Sequence, residues 1–178
     1  MNRSYLLTAA AAVPMLLVLS AANAAPAPPA RTALEQIERL SASVSDAAFR
    51  LQAKAESQMD ADSHRDDLET VRTDINRIGV DLQALDRQRA SLTEWEAKAL
   101  DQALPLMQEA AFNAEAAMRA YSTGRTHLWA TSYPREMAKI SEDTEKVKDL
   151  VGGYLKLASV RQEEQRLEVK VGEGADTR

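Results

Sequence analysis

The chain contains no cysteine. That excludes disulfides, iron–sulfur clusters, thiol chemistry, covalent haem attachment and a lipid-modified N-terminal Cys. Aromatic residues make up only 4% of the 178 residues, and there are 6 glycines. A sandwich or barrel draws heavily on both, so their scarcity points to helices. Positive charge is not in excess either. Lys and Arg number 22 against 27 Asp and Glu, a formal net charge of −5. A surface of that sign attracts neither a nucleic-acid backbone nor an anionic membrane surface, so no nucleic-acid partner is expected.

Catalytic signatures are missing as well. The sequence has no GxSxG, P-loop, GxGxxG or HExxH pattern. A di-iron bundle needs Glu three residues before a ligating His, and the residues before His64 and His127 are Ala61 and Gly124. Asp60, Asp62, His64 and Asp66 alternate as at the start of a calcium loop. Arg65 stands where that loop needs Gly, and Val71 where it needs Glu. Acidic and basic residues alternate on stretches such as Glu142 to Asp149, the pattern of a solvated helix face. The expectation is a protein that is not an enzyme and carries no cofactor.

What is present is period. Leu68, Val71, Ile75, Ile78, Leu82 and Leu85 alternate spacings of three and four, the a/d seam of a bundle or coiled coil. Three further stretches share it. Leu34, Ile37, Val44, Ala48, Leu51 and Ala55 form one, with Ser41 in a seam position. Ala97, Leu100, Leu104, Met107, Ala111, Ala114, Met118 and Tyr121 form another. Met137, Ile140, Thr144, Val147, Val151, Tyr154 and Ala158 form the last. Four such stretches joined by two short turns and one longer loop predict an all-α, antiparallel up-down-up-down four-helix bundle with long helices over residues 32–170.

Punctuation fixes the boundaries. Thr32 with Glu35 and Thr93 with Glu96 have capping-box spacing, and Asp62 or Ser63 is placed to cap the second helix. Pro105 falls inside the third helix and predicts a kink. Tyr133-Pro134 opens the fourth, which Gly152-Gly153 either weakens or divides. Ahead of the bundle, residues 1–24 read as a signal peptide. Arg3 leads an apolar run, and Ala22-Asn23-Ala24 forms a small-x-small cleavage site. Residues 25–31 read as a Pro/Ala-rich tether and 171–178 as a disordered tail. The mature chain is then periplasmic or secreted, begins at Ala25 and has no membrane span once the signal is removed. Its expected partner is another protein of the cell envelope.

Counting back from the turns registers the helices against one another. Gly79, Pro105, Gly152-Gly153, Ser43 and Ser45 collect at mid-height, a waist expected to be packed, with small residues serving close helix approach. The same count brings the hydroxyls of Ser41 and Tyr154 together. The pole formed by the first turn and the long loop collects Met59, Asp60, Asp62, His64, Asp66, Asp67, His127, Trp129 and Tyr133. The loop from Ser122 to Ser132 exceeds what the topology needs, and aromatic anchors beside Arg suit an interface. Arg125, His127, Leu128, Trp129 and Tyr133 are therefore the candidate contact residues. In the competing reading Leu128 and Trp129 fold back to plug the core. His64, His127, Asp60 and Asp62 are weak candidates for a divalent metal, which makes a metal-binding or small-ligand bundle the alternative function.

Overall fold

A computed structural model describes the backbone of residues 29–175 and the side chains of residues 29–168. The expected signal peptide over residues 1–24, most of the expected tether and residues 176–178 lie outside the described residues. Four helices carry the fold: α1 over Ala30–Glu56, α2 over Arg65–Arg87, α3 over Glu94–Thr123 and α4 over Tyr133–Ala175. No strand occurs among the described residues. Helix α1 packs on α2 and α4, and α3 packs on the same two, so the helices form a square in chain order. The chain is an all-α four-helix bundle.

The core is aliphatic and small. Leu34, Ile37, Val44 and Leu51 of α1 and Ile78, Leu82 and Leu85 of α2 are buried. Leu100 and Met107 of α3 and Met137, Ile140, Val147 and Val151 of α4 face them. Alanines such as Ala47, Ala48, Ala103, Ala110 and Ala117 fill the layers between and let the helices approach.

Local chemistry accounts for the ends. Thr93 and Glu96 form the expected capping box at α3, with the Thr93 amide donating to Glu96 Oε2 at 2.8 Å. Helix α1 starts earlier than the sequence suggests. Pro29 is its N-cap, and the Ala33 amide donates to the Pro29 carbonyl at 3.1 Å. Thr32 is thus already helical, and Glu35 pairs with Arg31 instead of closing a capping box. Residues 30 and 31 belong to the helix rather than the tether. At the other end, α4 continues to Ala175, so residues 171–175 are helical where a disordered tail is the expectation.

Helix α3 runs unbroken through Pro105, which sits on its exposed side, where water can reach the carbonyl left unpaired. Helix α4 likewise passes through Gly152 and Gly153 as one helix. The seam of α3 is rotated from its expected phase. Ala99, Ala103, Ala110 and Ala117 are buried while Leu104, Ala111 and Tyr121 are only partly so. The buried face thus widens toward the alanines, while Leu100, Met107 and Ala114 of the expected seam stay within it.

The waist is packed at its centre by Val44, Ile78, Leu82 and Val151. On the α2/α3 side, where helix contact is sparsest, it opens into a surface groove of about 200 Å³ lined by Ile75, Gly79, Leu82, Leu104, Met107 and Ala111. A side chain at Gly79 or Gly153 would meet nothing within 4 Å, so neither serves close approach. Gly152 does, since a Cβ there would lie 2.5 Å from Glu38 Oε1.

The predicted meeting of Ser41 and Tyr154 does not occur. Ser41 Oγ is buried without a partner, and the Tyr154 hydroxyl accepts from Gln102 Nε2 at 3.1 Å. Ser45 bonds Ser141 instead, at 3.2 Å, and Arg31 donates to Ser159 at 2.9 Å. These contacts set α4 roughly two turns away from the counted register.

Candidate interaction surface at the loop pole

The pole is assembled from a tight helix end and a pinned loop. Helix α1 closes with a pair of crossed bonds, from the Met59 amide to the Lys54 carbonyl and from the Gln58 amide to the Ala55 carbonyl, both 3.0 Å. This is a Schellman motif, and it sets Gln58 in the left-handed region at φ 56°. Met59 is thereby turned outward and is 48% exposed. A 3₁₀ turn over Ala61–His64 follows, capped by Asp60, whose carboxylate accepts from the Ser63 amide at 3.0 Å. Neither Asp62 nor Ser63 caps α2, because the turn inserts ahead of it: Asp60 caps the turn, and His64 stands at the N-cap of α2 without a side-chain bond.

Beneath this surface His64 and Tyr133 are fully buried, with Nδ1 and the phenol oxygen 3.2 Å apart and the rings edge to face. Tyr121 lies beside Tyr133 and donates its hydroxyl to the Ala61 carbonyl at 2.9 Å. Burial, then the neighbouring Lys54 ammonium, holds the His64 pKa below the usual histidine value, although Asp60 and Asp67 pull the other way. Burial pushes the Tyr133 phenol well above its usual range. Lys54 bridges the two connected helix ends, donating to the Ser63 carbonyl at 2.6 Å and to Asp67 at 2.8 Å. Arg50 bonds the same carboxylate. Burial of Asp67 opposes its ionisation, but the two cations outweigh it and hold its pKa low.

The loop from Gly124 to Ser132 folds over this layer. Gly124 is required by space, not by its dihedral angles, since a Cβ there would collide with the Thr131 methyl. Thr131 in turn bonds the Leu128 carbonyl at 2.7 Å and accepts from the Tyr133 amide at 3.2 Å. Leu128 enters the core at 3% exposure, whereas Trp129, in the same 3₁₀ turn over Leu128–Ala130, is 48% exposed. The plug and the contact surface are therefore adjacent residues. His127 is exposed, with its ring edge to face on Trp129, and Arg125 reaches Asp62 at 3.2 Å while lying over the Tyr121 ring. Gln58, Met59, Asp60, Arg125, His127 and Trp129 border a concavity of about 580 Å³.

Of the five candidate contact residues, Arg125, His127 and Trp129 thus stand on the surface. Leu128 and Tyr133 are buried and anchor the loop from within. Met59 belongs with the exposed set, and its sequence signal was its place beside a helix end with no other reason to carry a large apolar residue. The metal candidates are not gathered. Among the described residues no group of three or more His, Asp or Glu is placed to hold an ion. His64 is enclosed in the core, while Asp60 caps a turn and Asp62 bonds two arginines. No family model, curated protein or solved structure matches the chain.

Proposed function

We propose that this is an exported, non-enzymatic bundle that binds another protein of the cell envelope through its loop pole. The observation that carries the reading is the pairing of exposed Trp129 and Met59 around one concavity, on backbone fixed from below by Leu128 and Tyr133. A preformed surface loses little conformational freedom on binding, and Trp beside Arg is the composition of interface anchors. The leader over residues 1–24, the acidic surface and the absence of thiols all suit a protein working outside the cytoplasm.

The test places a photoreactive amino acid at Met59, and in a second chain at Phe49, which is exposed on the side of α1. In cells exporting each chain, a discrete protein adduct is expected from position 59 only, and Trp129→Ala should abolish it while leaving the melting temperature nearly unchanged. Equal adducts from both positions, or an adduct that survives Trp129→Ala, would remove the pole as the contact surface. The metal alternative is tested by zinc calorimetry. Equal heats from the native chain and His127→Ala are expected, and a heat that the substitution removes would favour metal binding instead.

A further inference from the structure

The bundle closes where Arg31 bonds Ser159, yet α4 runs on to Ala175. The residues past that bond, 160–175, extend about 24 Å beyond the end of α1. Every residue from Ser159 to Glu168 is exposed. This overhang is not a uniformly polar tail. Leu157, Val160 and Leu167 are 47%, 48% and 52% exposed. With Glu164 they alternate spacings of three and four, so they define a second a/d seam on the same helix. It lies one residue behind the continuation of the core seam, a rotation of about 100° around the helix. The bundle's own helices therefore do not cover it. At its base the seam meets a cleft of about 440 Å³ between α3 and α4, walled by Trp95, Tyr154 and Leu157 and rimmed by Lys98 and Arg161.

Charge decides what can lie along this seam. Lys156 and Arg161 flank its first heptad, Glu163 and Glu168 its second, and Glu164 occupies the seam itself. A second copy in parallel would bury Glu164 against Glu164 and set Lys156 beside Arg161 and Glu163 beside Glu168, every pair of like sign. An antiparallel copy with Leu157 over Leu167 would set Glu163 and Arg161 each against itself and leave Glu164 unpaired over Val160. Both self-pairings are penalised, since a buried unpaired carboxylate costs far more than an exposed one.

We propose that the overhanging end of α4 is a docking arm for an amphipathic helix of a different protein. That helix sets Lys or Arg in its seam opposite Glu164, acidic residues beside Lys156 and Arg161, and basic residues beside Glu163 and Glu168. The surface is separate from the loop pole, at the opposite end of the bundle, and does not depend on it.

The test uses the chain from Ala25 and two designed three-heptad peptides with the same apolar seam. One carries the complementary charge order with Lys opposite Glu164; the other has every flanking and seam charge reversed. By fluorescence anisotropy the matched peptide is expected to bind roughly tenfold or more tighter than the reversed one. Leu167→Asp should abolish that binding without changing the melting curve. In sedimentation, the native chain is expected to be monomeric, and Glu164→Leu should dimerise through the arm. Equal affinities for the two peptides, or no binding of either, would overturn the proposal. So would a native dimer that Leu167→Asp dissociates, which would assign the face to a second copy. A matched peptide that binds the chain from Ala25 but not the chain from Met1 would assign the face to the leading segment, and would overturn it too.

Discussion

Gln58 is the only non-glycine residue at positive φ among the described residues, and it sits where most helices of this ending carry glycine. The left-handed region costs a residue with a Cβ about 1 kcal/mol. Gln58→Gly is therefore expected to raise unfolding free energy by about 1 kcal/mol in urea titration. His64 gives the residue scale its pH dependence. Its folded pKa is lowered, so the unfolded chain takes up the proton first. The stability it confers is complete above about pH 6.5 and is lost as pH falls below that value toward the folded pKa. His64→Gln should flatten this part of the stability profile while leaving the more acidic part, where carboxylates titrate, in place. Asp81 has the opposite sign. It is 7% exposed, its Oδ2 has no partner, and Arg77 approaches only to 3.8 Å. Burial raises its pKa, so its contribution is lost as pH rises through the ordinary carboxylate range. At neutral pH Asp81→Asn should stabilise the fold by about 1 kcal/mol, measured by denaturant melting.

Among the elements, α3 was the most legible at its start and the least so along its length. The Thr93 and Glu96 box is a local device, complete within four residues, and so can be read without knowing the fold. Which face α3 buries depends on what the other helices leave room for. There the alanines at 99, 103, 110 and 117 displaced Leu104 and Tyr121 from the centre of the core. The α1 start departs from its local signal for a related reason. Thr32 and Glu35 have the right spacing, but Pro29 already supplies a fixed φ and a free carbonyl one turn earlier. Helix α2 offers a test of how far propensity alone acts. Gly79 has space around it for a side chain, so Gly79→Ala should stabilise the bundle by about 1 kcal/mol through helix propensity. A circular-dichroism melt that moves downward would mean the α2/α3 groove is tighter than its open lining indicates.

At the scale of the whole molecule, helix count and order were readable because each seam declares a helix and short turns declare antiparallel neighbours. Register was not. The Schellman end of α1 and the 3₁₀ turn of Ala61–His64 use residues that a simple count assigns to helix, so Ser43 meets Asp74 and Arg50 meets Asp67. The candidate pole was legible as a place, since loops and turns must gather at bundle ends. Which of Leu128 and Trp129 would face inward was not, because that depends on the bond between Thr131 and the Leu128 carbonyl that sets the turn. The same division between bundle and overhang fixes how stability is distributed along α4. Ile140 is fully buried among the four helices, and Ile140→Ala should cost about 2–5 kcal/mol, since the surrounding helices relax only partly around the lost volume. Arg161 to Glu168 are exposed throughout, so they contribute helix but little core. A chain ending at Val160 should keep the cooperative unfolding transition of the full chain, with its midpoint nearly unchanged and only the helical signal reduced. A large fall in the midpoint on that truncation would show that the overhang folds back on the bundle in solution, and would reassign residues 161–175 from a free arm to part of the core.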